Sequence, residues 1–372
     1  MELLLDEPSI VQRVLDHIER RTTDMGDVGW REPVAHYRSE TRLALELDRV
    51  FRRTPTPFCP SAALLHAGCY VAREAAGVPL VAVRGGGGEV RVFRNACRHR
   101  GTQLACGRGR TASFVCPYHG WAYGLDGALR SIPHEHGFPG LDKDDHGLVP
   151  VLAWEQGGVV FVSQDPAESA GEPAIPSGLL GPELELVAVE EQEIAANWKV
   201  FAESFLEGYH ILSTHRETFY PVQFDNLNVV EHFGANSRIT YPYRNIQKLR
   251  AVEPADRLVG GTLTFVYHFF PNVMIATFPQ RVVMVVLEPL GVGRTRSVTY
   301  TLAEAAKLGA DRPAVERDGD FVARGAAEDR AIVESIQRGL ASEANEVFEF
   351  GRFEAAIVHF HHNLQTLLGD AA

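Results

Sequence analysis

The chain has 372 residues, 45% hydrophobic and 23% charged, with a formal net charge of −12. That length allows two modest domains with ample core, and the acidic balance argues against general nucleic-acid binding. No apolar run approaches the ~20 residues of a membrane-spanning helix, so no membrane crossing is expected.

The N-terminus, MELLLDEPS, is acidic and lacks a basic stretch, so no signal peptide is read there. Five cysteines are too few for a disulfide scaffold in a chain this long, and a reducing, cytoplasmic setting is expected. Residues Ile10 to Arg21 carry helical spacing in Ile10, Val14 and Ile18. Pro55, Pro57 and Pro60 then interrupt the chain. From Gly68 to Val162 the sequence reads as short strands with turn signals. VPLVAVRGGGGEVRVFRNA is a hairpin, because a strand rather than a helix follows the glycines, which disfavours a phosphate loop. GGVVFVSQ closes this module, and DPAESAGEPAIPSG reads as a linker.

Asn197 to His215 then suits a helix. LTFVYHFF, VMIATF, RVVMVVLEP and RSVTYTL read as successive strands, with Leu263, Phe265, Tyr267 and Phe269 on one face of the first. The chain ends helical, with Phe353, Ile357, Phe360, Leu364 and Leu367 as the apolar stripe. HFHH in that segment reads as surface and interface histidines, and PHEHG at Pro133 as a loop.

Two constellations carry chemistry. Cys97-x-His99 and Cys116-x-x-His119 each put two ligands on a tight loop. Two thiolates and two imidazoles suit tetrahedral zinc, and they equally suit a [2Fe–2S] cluster with the cysteines on one iron and the histidines on the other. Gly101, Pro117, Gly120 and Trp121 flank them, where tight turns must bring backbone N–H groups to the sulfurs, and this favours the cluster. Cys59, Cys69 and Cys106 lie outside ligand spacing and read as buried free thiols. Arg91, Arg94, Arg98, Arg100, Arg108 and Arg110 form a basic stretch without an acid up to Gly124, either a solvated rim or a landing patch for an acidic redox protein. Downstream, Glu207, His210 and His215 stand in NWKVFAESFLEGYHILSTH. Glu207 and His210 are spaced to share a helix face, and His215 joins them only if the helix ends or distorts. Two histidines and a remote carboxylate would form the triad of non-haem Fe(II), with open positions for oxygen and substrate.

CRHRG and CPYHGW closely resemble the Rieske motif. With the NWK lead-in, the histidine pair and Phe270-Pro271-Asn272, the whole chain resembles the α subunit of Rieske non-haem iron aromatic-ring-hydroxylating oxygenases. The resemblance implies an α+β chain: an all-β Rieske [2Fe–2S] domain and a catalytic domain of helix-grip type, an antiparallel sheet over a long helix. The boundaries it implies are an N-terminal helical segment at 1–55 packing on the catalytic domain, the Rieske domain at 56–165, a linker at 166–180 and the catalytic domain at 181–372. It points to Asp329 as the third Fe(II) ligand beside His210 and His215, with Glu328 as rival; Asp145 and Asp225 do not match the motif. It gives Glu207 the role of joining His210 to the neighbouring subunit's Rieske histidine, the counterpart of His119, in a homotrimer (α3, or α3β3).

Ring dioxygenases usually carry Asp where Glu207 stands, and Glu is more familiar in relatives acting on betaines and carnitine-like amines. The function the overall resemblance implies is a terminal oxygenase hydroxylating an aromatic, polycyclic or other hydrophobic compound, as in aromatic hydrocarbon catabolism. The alternative is a monooxygenase cleaving a methylated amine. Electrons would come from NAD(P)H through a separate ferredoxin or flavin reductase, since the chain has no flavin or nicotinamide fingerprint. A Rieske ferredoxin would explain only the first site, and a zinc-stabilised binding module neither the flanks nor the histidine pair. Candidate pocket residues are Phe205, Ile211, Phe219, Tyr220, Tyr241, Phe265, Tyr267, Phe278 and Phe360, suited to stacking on an aromatic compound or caging a quaternary amine.

Overall fold

A computed structural model of the chain describes residues 4–165, 172–173, 175–176 and 178–369. Of the linker expected at 166–180, residues 166–171, 174 and 177 lie outside them. The chain divides into two compact units, residues 1–50 with 183–372, and residues 51–182.

The 51–182 unit is built from short antiparallel strands. Among the described residues, seven form one sheet in the order Thr56–Pro60, Val159–Ser163, Pro150–Gln156, Val90–Arg94, Val78–Arg84, Cys69–Ala75, Gly107–Arg110. The glycine run is the hairpin turn, with Arg84 opposite Val90 and Gly88 at φ +93°, a value glycine adopts without strain. A smaller sheet pairs Phe114–Val115, Ala122–Tyr123 and Leu129–Ser131. Val81, Val83, Phe93, Phe114, Trp121 and Tyr123 share one core with Cys97 and Cys116. Of the remaining cysteines only Cys59 is buried; Cys69 is half-buried and Cys106 is exposed, because it leads into the edge strand Gly107–Arg110, itself exposed throughout.

In the other unit the first helix, Glu7–Arg20, starts at Asp6, whose carboxylate accepts from Ser9 N–H. Its buried Ile10, Val11, Val14 and Leu15 pack on Leu227, Val229, Ile246 and Leu263. A seven-stranded antiparallel sheet runs Leu184–Ile194, Arg294–Glu304, Val282–Gly291, Val273–Thr277, Leu263–Phe269, Asn236–Pro242, Val229–Phe233. The long helix Arg312–Leu340, capped by Asp311, faces this sheet across a cavity that both line.

The expected helix from Asn197 to His215 is two short helices, Trp198–Glu203 and Ile211–Thr214. Asn197 starts the first by accepting from Lys199 N–H, and its amide donates to Tyr37 and Val292 carbonyls. Trp198 Nε1 and Lys199 Nζ both donate to the buried Glu46, so the NWK signal is a structural knot. The final helix, Ala355–Leu368, buries Ile357, Phe360, Leu364 and Leu368. Leu367 is 41% exposed, because the residue four on from Leu364, not three, continues the stripe. His361 is not a surface residue: it is buried, with Nε2 2.9 Å from Glu203.

Candidate metal centres and the substrate cavity

In the 51–182 unit the two ligand loops make matching turns. Gly101 N–H donates to Cys97 C=O at 2.9 Å and Gly120 N–H to Cys116 C=O at 3.0 Å, both glycines at positive φ. Only glycine closes such turns cheaply, which explains the flanks of both motifs. The His99 and His119 rings stand 4.7 Å apart, and His99 stacks on Trp121 at 4.9 Å. Tyr123 Oη lies 3.3 Å from Cys97 Sγ and accepts from Arg98 N–H. Burial pushes the Cys116 thiol up, but backbone N–H groups of Tyr118 and His119 and the side chains of Cys97 and Thr102 outweigh it and lower its pKa. His99 Nδ1 is buried without a hydrogen-bond partner. An orphaned imidazole nitrogen on the same pair of loops as two buried cysteines, Cys116 among them favouring thiolate, fits a [2Fe–2S] cluster with mixed ligands. Arg98 and Arg100, on the first ligand loop, are exposed, as are His119 and, on the edge strand, Arg108 and Arg110. Asp145 lies in a turn of this unit, and Asp225 accepts from Leu212 N–H at the start of a short helix, so neither joins the other acids below.

In the larger unit, ligand atoms of His210, His215 and Asp329 lie within 4.8 Å of one another. Asp329 Oδ1 is 2.9 Å from His215 Nε2 and 3.5 Å from His210 Nε2. The break at 204–210 makes this possible. Glu207 lies on that irregular segment rather than on a helix, and its carboxylate still accepts from Tyr209 N–H and contacts His210 Nδ1. Tyr241 Oη pins the segment by donating to the carbonyls of Phe205 and Glu207, at 2.8 and 3.0 Å. Burial lowers the His210 pKa, but Asp329 and Glu207 outweigh it and lift it to about 10, a sign of a point that favours a cation. Two imidazoles and one carboxylate beside a cavity fit a divalent metal with open positions.

Glu328 is on the other side of His215. It contacts Nδ1 at 2.8 Å and accepts from Thr218 Oγ1, leaving Nε2 for Asp329. This orienting pair is the functional feature missed in the sequence; adjacent acids on a helix point in different directions, and only the partner's position tells them apart.

The cavity beside the triad encloses about 800 Å³. Phe205, Ile211, Phe219, Tyr241 and Phe278 line it, as expected; Tyr220, Phe265, Tyr267 and Phe360 do not. The strand Leu263–Phe269 turns Thr264 and Val266 to the cavity, so Phe265 and Tyr267 face the other way, Phe265 under the Arg238 guanidinium. Tyr220 packs under Arg244, and Phe360 is buried against Trp198 and His268. No described helix is long and apolar enough to cross a membrane.

Residues 182–370 match the ring hydroxylating alpha subunit (catalytic domain) family, and residues 54–148 match the Rieske [2Fe-2S] domain family. The carnitine monooxygenase oxygenase subunit of Escherichia coli (strain K12) is 29% identical over 363 residues, 92% of this chain and 94% of that protein. The chloroplastic choline monooxygenase of Beta vulgaris is 28% identical over 352 residues, 88% of this chain and 75% of that protein. The quaternary ammonium Rieske monooxygenase CntA superposes with a TM-score of 0.78 at 23% identity, over 92% of this chain and 96% of that one. Naphthalene 1,2-dioxygenase from Rhodococcus sp. gives 0.74 at 20%, over 98% and 99%.

Proposed function

The chain belongs to the ring-hydroxylating α-subunit family of Rieske oxygenases, and from that premise we propose that it oxidises a methylated ammonium compound as the terminal component of its system. The family makes it an oxidoreductase with a Rieske [2Fe–2S] cluster and a mononuclear iron, fed with electrons by a reductase. The reading of the substrate is carried by the relatives: proteins named for choline and carnitine match nearly the whole chain. Phe219, whose ring is 4.6 Å from that of His215, lines the cavity with Phe205 and Tyr241, and aromatic rings of this kind attract quaternary cations.

In this reading Cys97, His99, Cys116 and His119 hold the cluster, and His210, His215 and Asp329 hold the iron. The iron, when bound, supplies the site at which O2 is activated. One oxygen atom enters a C–H bond beside nitrogen, and the other leaves as water with two electrons and two protons. The resulting N–C–OH compound splits into an amine and a carbonyl product. Glu207 fixes the His210 tautomer and reaches the neighbouring subunit's cluster in a homotrimer. The exposed Arg98 and Arg100 on the first ligand loop, with Arg108 and Arg110 on the edge strand, receive an acidic ferredoxin or a flavin reductase. A reducing compartment such as the cytoplasm suits the unpaired thiols.

The test is O2 uptake by the reconstituted system with trimethylammonium compounds and with naphthalene. Uptake matched by amine release is expected; a naphthalene diol with no ammonium turnover would overturn the substrate class.

A further inference from the structure

The sheet side of the cavity divides along its strands. On Leu263–Phe269, Val273–Thr277 and Val282–Gly291 the lining residues are Val266, Met274, Ala276, Val283 and Val285, with Thr264 the one polar exception. On the next strand, Arg294–Glu304, they are Ser297, Thr299 and Thr301. Alternation puts these three on one face, and the residues between and beyond them, Val298, Tyr300 and Leu302, are buried on the other.

Strand propensity does not account for the row. Valine suits a strand as well as threonine does, and valine stands opposite: Val285 pairs with Thr299 and Val283 with Thr301. Thr295, one step back on the same face, is buried and donates its hydroxyl to Ala196 C=O at 2.8 Å. Ser297 is only 6% exposed, yet the hydroxyls of Ser297, Thr299 and Thr301 have no hydrogen-bond partner among the described residues. A hydroxyl buried without a partner destabilises the protein, and an oxygen-bearing ligand in the cavity would remove that cost.

The row also has a direction. Arg330 Nη1 donates to Gln192 Oε1 at 3.0 Å, and Gln192 stands opposite Ser297, so the row starts at the level of Asp329. Helix and strand run antiparallel there, since Glu334 accepts from Ala195 N–H farther along the helix. Thr299 and Thr301 therefore lie progressively farther from the triad. At ~3.4 Å per residue the hydroxyls recur every ~7 Å and the row covers ~14 Å. Carnitine spans six bonds, about 8 Å, so a compound of that length held at the triad leaves Thr301 unused.

We infer that Ser297, Thr299 and Thr301 set specificity, and that the substrate carries neutral oxygens along one side of a chain of roughly 14 Å, its apolar side against Val283 and Val285. This rests on the cavity being the substrate site of the proposed oxygenase, and adds a long oxygenated chain to the ammonium group of that reading.

The experiment titrates the anaerobic, metal-loaded oligomer with two trimethylammonium compounds whose tails are ten atoms long: a decyl chain and a methyl-capped tri(ethylene glycol) chain. In an extended oligoether the oxygens on one side recur every six bonds, about 7 Å, which matches the spacing of the hydroxyls. The neutral dimethyl ether of tri(ethylene glycol) is titrated alongside. Thr299→Val and Thr301→Val keep the branched shape; each should weaken the ether-tailed compound about three- to tenfold, and the pair at least about tenfold. Ser297→Ala should act in the same direction. The decyl compound should bind the variants as tightly as the wild type or more tightly. Failure of both ethers to bind the wild type, unchanged ether binding in the double variant, or equal losses for ether and decyl tails overturns the inference. If the neutral ether depends on these hydroxyls but no ammonium compound is oxidised, the polar wall stands and the ammonium reading falls. Oxidation of ammonium compounds, with ether binding indifferent to the hydroxyls, gives the reverse.

Discussion

At His215 the two ring nitrogens face different carboxylates, and that fixes what each acid does. Asp329→Ala should remove mononuclear iron and turnover while the cluster's visible spectrum persists. Glu328→Gln should keep the triad, with iron affinity lower by about ten- to a hundredfold, as for other partners of metal-bound histidines. Iron analysis after dialysis against a chelator checks both; iron loss with Glu328→Gln and retention with Asp329→Ala would reverse the assignment. Glu354 offers a pH test away from the ligands. Burial, then the nearby Glu207 and Glu203, outweigh a hydrogen bond from Gly351 N–H and raise its carboxyl to about 7. A raised carboxyl contributes stability that is present below its ordinary value near 4.5 and lost as pH rises through about 7. Glu354→Gln should therefore stabilise the fold at pH 8 by on the order of 1 kcal/mol after allowing for its partial exposure, read as a higher Tm, and not at pH 4. An equal gain at both pH values would show that charge is not the cause.

Among the elements, the segment from Asn197 to His215 shows what was legible and what was not. The histidine spacing and the NWK lead-in located the site. The break between the two short helices was not readable, because it is held by tertiary partners: Tyr241 on the carbonyls of Phe205 and Glu207, and Asp225 at Leu212 N–H. The strand Leu263–Phe269 teaches a similar lesson. Its alternation is plain in the sequence, yet alternation does not say which face meets the cavity, and Phe265 and Tyr267, expected in the pocket, lie on the other face. The ion pair of Lys199 and Glu46, 2.7 Å apart and both about fully buried, holds the first short helix. Lys199→Met should cost about 3 kcal/mol, since Arg42 and Trp198 only partly satisfy the carboxylate left behind. A thermal melt unchanged from wild type would show that those two suffice.

For the whole molecule, family membership was legible because short local motifs carry both metal sites. Substrate class was not, since it depends on a cavity assembled from strands and a helix distant in sequence. The sequence reading favoured an aromatic or hydrophobic substrate, and the relatives favour its alternative, a methylated amine. The central claim is that the two metal sites act as one machine through Glu207, whose carboxylate holds His210 Nδ1. Its direct test is single turnover by Glu207→Gln in the assembled oligomer with both irons loaded: reduce the cluster, add a trimethylammonium substrate and O2, and follow cluster reoxidation. The account predicts reoxidation slower by at least about tenfold with both metal contents unchanged. Reoxidation at the wild-type rate would contradict it.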